Sequence, residues 1–400
     1  MGRKSTTLLG IILVSAMVFP FSIKAIHSSP AQVIPPIVST DWLYNNLTLT
    51  DLVVLDVRSP DAYNTGHIPG AINVPEGMWY TNPPFASDPP WMEIPPKEDL
   101  FDLIGNASIT RYSWVVVVGA TSGLLLPEAP LALYNTAGIT RVAIALLYAG
   151  VANFTILDGG YEKWVADGYP TETTPNTPTP ITYTGTVKSG MVVSKQYVAS
   201  KIGESIIVDA RDAEVYLGFI QEPWAQKVGH IPTAKNLPTP WLWSLTMLNE
   251  THVNYGTYKS NETLKELAND IVGTNMTKEI IVYCGVGGYA STMFFVLKEV
   301  LGYTNVKMYD GSAQEWTSYP ELPVVYEDLG SQYLQLSANY TQLLGDYNDL
   351  QSDYEDLTSD YEDLKKATTP AYLTYTFILT TVIFVLIAMY SALKARTKKG

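Results

Sequence analysis

The sequence predicts an α/β protein with mostly parallel sheets, in which one strand–helix pattern occurs twice. Between residues 37 and 325, short apolar runs typical of buried strands alternate with helical stretches. Strands that alternate with helices in this way form parallel sheets covered by helices. A heptad repeat at 326–366 and an uncharged apolar stretch at 371–393 follow. We therefore expect two α/β domains, a coiled-coil stalk and a single transmembrane helix.

The composition is that of a folded protein that does not bind nucleic acid. The chain has 400 residues, of which 46% are hydrophobic, enough for two domains with cores of their own. Its formal net charge is −14 and its pI is about 4.7. Neutralising phosphates requires clustered Lys and Arg, and no basic stripe is present in the main body. We therefore expect no nucleic-acid partner.

The first 30 residues are typical of a targeting segment. Arg3 and Lys4 precede an apolar stretch at 8–23, which ends just before Ala25. A basic start, an apolar centre and a small residue near the end fit a secretory signal peptide. An uncleaved N-terminal anchor remains the alternative.

The first α/β domain is predicted over residues 37–170. An apolar strand ends in Asp56 and Arg58, and the motif Gly-His-Ile-Pro follows at 66–69. A helix, a second strand, another helix and a further strand then lead to an Asp-Gly turn and Trp164. This order predicts one sheet, mostly parallel, with helices on its faces.

The second α/β domain, predicted over residues 191–325, repeats these motifs in the same order. Its first strand ends in Asp209 and Arg211, and Gly-His-Ile-Pro-like residues recur at 229–232. An Asp-Gly turn again precedes a tryptophan. Residues 171–190 begin with a Pro- and Thr-rich stretch and form the predicted linker. The two domains are therefore a duplication.

A heptad repeat at 326–366 predicts a long helix. Tyrosine recurs every seven residues from Tyr326 to Tyr361, and a leucine follows each tyrosine by three residues. This spacing places tyrosine at position a and leucine at position d of a coiled coil. We expect a stalk through which the chain forms homo-oligomers. A solvated single helix or a disordered acidic linker remains the alternative, because like charges weaken a self-paired coil.

The uncharged stretch at 371–393 predicts a transmembrane helix. It is long enough to cross ~30 Å of hydrocarbon at ~1.5 Å per residue. Four basic residues lie in the following segment, 394–400. The positive-inside rule therefore predicts a cytoplasmic basic tail, with the body outside the cytoplasm at the cell membrane.

Glycosylation motifs agree with a body outside the cytoplasm. The chain contains seven Asn-x-Ser/Thr sequons, so we expect a glycoprotein. The sequons begin at Asn46, Asn106, Asn153, Asn249, Asn261, Asn275 and Asn339.

Cys284 is the only cysteine in the chain and stands in a distinctive loop. It lies between an apolar strand at 279–283 and a glycine-rich turn at 285–288, which leads into an apolar helix. Backbone N–H groups in such a loop and the helix N-terminus favour a thiolate. The pattern predicts a nucleophile or a sulfur carrier. The alternative is a small hydrophobic side chain buried in a core.

With these motifs in this order, residues 37–325 resemble a tandem-domain rhodanese of the thiosulfate/3-mercaptopyruvate sulfurtransferase family. The resemblance implies that Cys284 takes sulfane sulfur from a donor, forms a persulfide and passes the sulfur to cyanide or a thiol. It implies no cofactor and an inactive first domain, because the equivalent loop at 119–123 lacks a thiol. The substrate-binding residues that it implies are Gly285, Val286, Gly287, Gly288, Tyr289, Ala290 and Arg211.

Two positions depart from the family pattern. Thiosulfate-using tandem rhodaneses commonly carry basic residues where this chain has Val215 and Val286. The identity of the donor therefore stays open. For Arg211, a structural pairing with Asp209 is the alternative to a contact with substrate.

Other chemistries fit the sequence less well. Phosphatases of a related fold need an arginine six residues after the cysteine, and Ala290 stands there. His67, His230 and His252 offer no metal-ligand spacing with Cys284, and we expect no metal. His67 and His230 occur in both copies, so we interpret them as parts of turns. A non-catalytic binding or scaffold protein at the cell surface remains the alternative function.

Overall fold

The computed structural model describes most of the chain and divides it into two compact units, Met1–Tyr326 and Glu327–Gly400. The predicted signal peptide or anchor and the end of the basic tail lie outside the described residues. The described residues are 34–81, 92–125, 131–326, 329–366 and 371–396.

The first domain is built on a five-stranded parallel sheet with the predicted alternation of strands and helices. Its elements are β1 (Ile37–Val38), α1 (Thr40–Asn46), β2 (Leu52–Asp56), α2 (Pro60–Thr65), β3 (Ile72–Asn73), α3 (Lys97–Asn106), β4 (Trp114–Val118), β5 (Gly123–Leu124), α4 (Leu131–Ala149), β6 (Asn153–Leu157) and α5 (Gly160–Ala166). The strand order in the sheet is β1-β6-β4-β2-β3.

The sequence of the central strands explains their position. β4 reads Trp-Val-Val-Val-Val, and its last four residues are fully buried. Valine has a high strand propensity, and a run without alternation is typical of a strand covered on both faces. β4 therefore lies inside the sheet between β2 and β6.

The second domain has a four-stranded parallel sheet in the order β12-β11-β7-β8. Its elements are α6 (Lys195–Lys201), β7 (Ile206–Asp209), α7 (Ala213–Tyr216), β8 (Lys235–Asn236), β9 (Trp243–Asn249), β10 (His252–Tyr258), α8 (Asn261–Val272), β11 (Ile280–Tyr283), α9 (Gly288–Phe295), β12 (Val306–Met308) and α10 (Ser312–Ser318). The central strand β11 is entirely buried.

A hairpin from the second domain joins the two domains, which the sequence did not predict. β9 and β10 pair with each other and with β5 of the first domain in an antiparallel sheet. At the end of the hairpin, the Tyr258 N–H donates to Asp158 of the first domain at 2.9 Å. The apolar helices α4 and α9 also meet across the domains, where Thr140 and Thr292 share a hydrogen bond of 2.6 Å. One continuous core results.

The first part of the predicted linker contacts the first domain. Glu172 pairs with His67 and Asn176 with Ile72 as isolated β-bridges. The side chain of Asn176 also donates to the carbonyl oxygen of Ala71 at 3.1 Å. The start of the linker therefore lies along the first domain as an added edge.

The described residues of the second unit form two helices, α11 (Leu329–Lys366) and α12 (Ala371–Arg396). α11 covers nearly the whole heptad repeat, so the helix is present, whereas the coiled coil stays a prediction. Heptad tyrosines and leucines in the part of α11 with described side chains are exposed, for example Tyr347 at 59% and Leu350 at 38%.

Two of the described helices are long and apolar enough to span a membrane. The first is α4, which is mostly buried inside the first unit and is a core helix. The second covers Ala371–Ala395 within α12 and has no buried residues in its most apolar window. Among the described helices, α12 is therefore the one whose low burial fits a membrane-spanning helix.

One predicted glycosylation site is wrong. Asn153 is the first residue of β6, between β1 and β4, and is only 3% exposed. A glycan is bulky and needs a surface position. The sequon at Asn153 is therefore closed to glycosylation in the folded domain.

Candidate active site

Cys284 follows β11 directly and begins the loop that enters α9. Its Sγ accepts the Gly287 N–H at 3.1 Å. Gly287 has φ 92°, a left-handed conformation that favours glycine. A Cβ at this position would lie 2.7 Å from Asp310 Oδ1, so no side chain fits. The glycine-rich turn thus wraps the backbone closely around the sulfur, as predicted.

Burial and the loop N–H groups shift the pKa of Cys284 in opposite directions. The residue is 2% exposed, and burial raises the pKa of its thiol. The N–H groups of Ala290, Val286 and Gly287 lower this pKa, whereas the Glu222 carboxylate raises it. The loop N–H groups therefore favour the thiolate, as expected, but desolvation outweighs them, so the pKa of the thiol is raised overall.

Ser312 supports the loop from the start of α10. Its Oγ accepts the Cys284 N–H at 3.1 Å and lies 4.0 Å from the Cys284 Sγ. The Cys284 carbonyl accepts the Ala313 N–H at 2.9 Å. Ser312 has φ 53°, which is strained for a residue with a side chain. The fold therefore holds a hydroxyl beside the cysteine in a costly conformation.

A loop at residues 217–229, here named the cover loop, lies over the cysteine loop. In the first domain, His67 follows its stacking partner Tyr63 by four residues, whereas His230 follows Tyr216 by fourteen. The extra residues of the second domain form the cover loop. The longer spacing between tyrosine and histidine in the second copy was therefore the signal in the sequence for this loop.

Two cover-loop residues reach the glycine next to Cys284. A Cβ on Gly285 would lie 2.6 Å from Trp224 Nε1 and 2.8 Å from Glu222 Oε1. Burial raises the pKa of Glu222, and the nearby Arg211 guanidinium lowers it. A carboxyl group therefore lies directly beside the cysteine loop, and the sequence did not predict it.

The structure places Arg211 in a buried ion pair. Its Nε donates to Asp209 Oδ1 at 2.9 Å, and its Nη2 donates to Asp209 Oδ2 at 2.6 Å. Nη2 also donates to the Gly229 carbonyl at 2.7 Å, and Nη1 lies 3.4 Å from Glu222 Oε2. These contacts use every guanidinium nitrogen, so a contact of Arg211 with substrate stays a prediction.

Arg141 of the first domain lies behind the cysteine loop. It is fully buried, pairs with Asp310, and places its Nη1 3.4 Å from Ser291 Oγ. A Cβ on Gly287 would lie 2.8 Å from the same Nη1. In the sequence, Arg141 is the single charged residue of the otherwise uncharged helix α4, and this was the signal that could have identified it.

Aromatic side chains from both domains lie beside the loop. The Tyr289 ring, in the first turn of α9, is 5.7 Å from the ring of Tyr134 on α4 and 6.3 Å from that of Trp243. Among the tryptophans of the second domain, Trp243 is buried, Trp224 lies against the loop and Trp241 is 51% exposed. The remaining predicted site residues, Val286, Gly288 and Ala290, belong to the cysteine loop and the start of α9.

Comparison with known proteins identifies the fold and the family. The family model for the rhodanese-like domain matches the chain twice, at residues 39–167 and 194–319. The chain belongs to the rhodanese family. The two matches cover the two predicted α/β domains.

Relatives of this rhodanese span the same two domains. A Mycobacterium leprae protein, provisionally named a thiosulfate sulfurtransferase, is 31% identical over 74% of this chain and 98% of its own length. The sulfur carrier protein TtuD of Thermus thermophilus is 29% identical over 72% of this chain and 95% of its own. A solved ergothioneine biosynthesis enzyme from Chlorobium limicola, in complex with trimethyl histidine, has the same fold. Its TM-score is 0.61 at 22% identity, and the match covers 73% of this chain and 70% of that enzyme.

The first rhodanese-like domain has an equivalent loop, and this loop binds the carboxylate of Glu162. Gly119 stands where the second domain has Cys284. The Thr121 N–H and the Ser122 hydroxyl both donate to the Glu162 carboxylate, each at 2.9 Å. A cysteine would not fit, since a Cβ on Gly119 would lie 2.6 Å from Ile139 Cγ1.

The paired histidines lie in equivalent turns of the two domains. His67 stacks on Tyr63 with ring centroids 3.8 Å apart, and His230 stacks on Tyr216 at the same distance. Each Nδ1 lies 2.8 Å from the carbonyl oxygen of its tyrosine. This geometry agrees with the interpretation of both residues as parts of turns.

Proposed function

We propose that the protein is a sulfurtransferase that carries sulfane sulfur as a persulfide on Cys284. The donor is a compound such as thiosulfate or 3-mercaptopyruvate, and the acceptor is cyanide or a thiol. The observation that carries this proposal is the single thiol of the chain, held by the Gly287 N–H at 3.1 Å in the second rhodanese-like domain. The names of the relatives support it.

In the first half of the proposed reaction, the Cys284 thiolate attacks the outer sulfur of the donor. A bond forms between Sγ and that sulfur, and the bond from that sulfur to the rest of the donor breaks. The leaving group, sulfite or pyruvate enolate, takes the electron pair. The loop N–H groups then hold the charged persulfide, as backbone donors hold oxyanions in other enzymes.

In the second half, the acceptor attacks the outer sulfur of the persulfide. The sulfur–sulfur bond breaks, and its electron pair returns to the Cys284 sulfur. Cyanide leaves as thiocyanate, and a thiol leaves as its own persulfide. No external oxidant is needed, because each broken bond leaves its electron pair on the departing group: sulfite or pyruvate enolate in the first half, and the Cys284 sulfur in the second.

One observation favours a second function, a non-catalytic binding or scaffold protein at the cell surface. Cys284 is only 2% exposed, and burial raises the pKa of its thiol, which reduces the fraction of reactive thiolate. A buried thiol can serve as a core side chain.

Thiocyanate formation and intact mass decide between the two functions. The full-length protein in detergent is treated with thiosulfate, 3-mercaptopyruvate or polysulfide. We expect one added sulfur on the wild type and none on Cys284→Ser, in which thiocyanate formation falls to background. Because the chain has one cysteine, the mass assigns the site without ambiguity. Ser122→Ala, in the first domain's loop, is the control and should remain active. A wild type inactive with every donor would favour the binding protein.

We also propose that α12 anchors the body outside the cytoplasm and that α11 forms a homo-oligomeric coiled coil. The hydropathy of α12 and the exposed heptad side chains of α11 support this arrangement. A double substitution, Leu350→Asp with Leu357→Asp, should dissociate the oligomer in analytical ultracentrifugation. An unchanged mass would contradict the coiled coil.

A further inference from the structure

Two carboxylates lie near the Cys284 loop. Glu222 lies over Gly285, and Asp212 stands at the start of α7. The Arg211 guanidinium is the cation that faces Glu222, yet it is already bound by Asp209. Arg211 is thus shared between two carboxylates. The basic residues typical of thiosulfate users are replaced by Val215 and Val286, and Val215 is buried.

Tyr289 provides an independent sign that a ligand enters here. It is 7% exposed, and its hydroxyl has no hydrogen-bond partner among the described residues. Buried hydroxyls are usually paired, so an unpaired one beside a nucleophile calls for an outside partner. The groups that raise its pKa beyond the effect of burial include Asp212, Tyr134, Cys284 and Glu222, all of them acidic.

We propose that Glu222 selects the sulfur acceptor by charge, and that the site takes thiols with a positively charged group near the sulfur. This inference rests on the proposed sulfurtransferase function and names its substrate class. An ammonium group near the thiol would be attracted by the Glu222 carboxylate, whose charge also acts on the hydroxyls of Tyr134 and Tyr289. Carboxylates attract such a cation directly, and aromatic faces add to the attraction.

The same arrangement disfavours anionic partners. A carboxylate near the sulfur of a thiol, or the double charge of thiosulfate, would approach Glu222, and Arg211, the cation facing it among the described residues, is already bound by Asp209. Like charges that meet in a partly desolvated site reduce affinity strongly. The acceptor thiolate still attacks the outer persulfide sulfur, and the electron pair still returns to Cys284, so only the recognition step changes.

Three small thiols test the proposal because they differ mainly in charge: cysteamine is cationic, 2-mercaptoethanol is neutral and mercaptoacetate is anionic. The full-length protein is first loaded with one sulfur, and loss of that mass is followed with each thiol. Each rate is divided by the thiol's rate with a small organic persulfide, which removes intrinsic reactivity. We expect the order cysteamine, 2-mercaptoethanol, mercaptoacetate, with about tenfold between the extremes for one nearby charge.

Glu222→Gln is the diagnostic variant. It keeps the shape of the side chain, so the tenfold difference should shrink to about twofold or less, chiefly through faster transfer to mercaptoacetate. KM for thiosulfate should fall in the same variant. Glu266→Gln changes the net charge equally at an exposed position on α8 and should keep the wild-type order.

The outcomes separate this inference from the function on which it rests. Equal normalised rates in the wild type, or a preference for mercaptoacetate, would overturn charge selection while leaving the sulfurtransferase intact. An unchanged order in Glu222→Gln would remove Glu222 as its cause. A wild type that never gains sulfur would overturn the sulfurtransferase proposal itself, and the substrate class with it.

Discussion

The two rhodanese-like domains share a turn and differ in the loop that the turn supports. Asp56 and Arg58 pair in the first domain as Asp209 and Arg211 do in the second. In both domains the arginine also donates to the carbonyl oxygen of the glycine before the histidine, at 2.8 Å and 2.7 Å. This shared scaffold is therefore a property of the fold, and it does not by itself produce a reactive site.

The differences concern what occupies the loop. In the second domain the loop surrounds a sulfur atom, whereas in the first it surrounds the carboxylate of Glu162. The residue after the Asp-Gly turn is Gly160 in the first domain and the strained Ser312 in the second, both at positive φ. In both domains a backbone N–H of the loop thus donates to the group that the loop surrounds, a carboxylate in the first domain and a thiol in the second.

The largest predicted effect tests how far the second domain depends on the first. Arg141→Met removes the cation that pairs with Asp310 and leaves a buried carboxylate behind. We expect a loss of about 3–5 kcal/mol in the free energy of unfolding, since breaking a buried ion pair from one side is strongly destabilising.

Urea denaturation measures this loss. Lys201→Met, which removes a surface pair with Glu204 at 3.0 Å, is the control and should change stability by less than about 1 kcal/mol. Equal effects of the two substitutions would mean that Arg141 does not support the loop.

The next prediction attempts to convert the first domain into the second. Gly119→Cys, made together with Cys284→Ser, should destabilise the protein by about 1–3 kcal/mol, because the new side chain meets Ile139 in a packed core. It should not restore sulfur transfer, since the Glu162 carboxylate occupies the loop. Thermal unfolding and thiocyanate formation measure the two effects.

The control for this conversion is a Gly→Cys substitution at a position where the fold leaves room for the new side chain. Around Gly190 a Cβ would meet nothing within 4 Å. Gly190→Cys should therefore leave stability nearly unchanged. Recovery of activity in the Gly119→Cys protein would mean that the two loops are equivalent after all.

A smaller effect is expected from the carboxylate in the first domain. Glu162→Gln keeps the size of the side chain but weakens the bonds from the Thr121 N–H and the Ser122 hydroxyl. We expect a loss of about 0.5–1.5 kcal/mol, typical of one hydrogen bond, because glutamine still accepts but without the charge, with unchanged transfer at Cys284. Denaturation midpoints and donor turnover provide the measurements, and a loss of turnover would show that the first domain takes part in the reaction.

The smallest predicted effect concerns the thiol itself. Burial and Glu222 raise the pKa of Cys284, so its alkylation by neutral iodoacetamide should reach half-maximum at a higher pH than that of a free cysteine. Glu222→Gln removes a negative charge that disfavours the thiolate, so the midpoint should move to lower pH. A shift to higher pH would reverse the sign of the assigned interaction. Glu266→Gln should leave the profile in place.

The fold was largely predictable from the sequence, and the site only in part. Continuous apolar runs such as β4 and β11 predict buried parallel strands, because a strand covered on both faces has no polar positions. Cys284 and its glycines were predictable because they are consecutive. Glu222, Arg141 and Ser312 were not assigned to the site, since each reaches it from a distant part of the chain.

The sequence by itself determined the duplication, the single thiol in the second copy and the apolar helix near the end of the chain, because each depends on local order and composition. Only the tertiary structure decided the environment of the thiol. Burial within the shared core, the Glu222 carboxylate above the loop and the first-domain arginine behind it are set by packing between distant segments. The free energy of an ionised sulfur depends on those neighbours and on desolvation, and neither is encoded in the spacing of residues around Cys284.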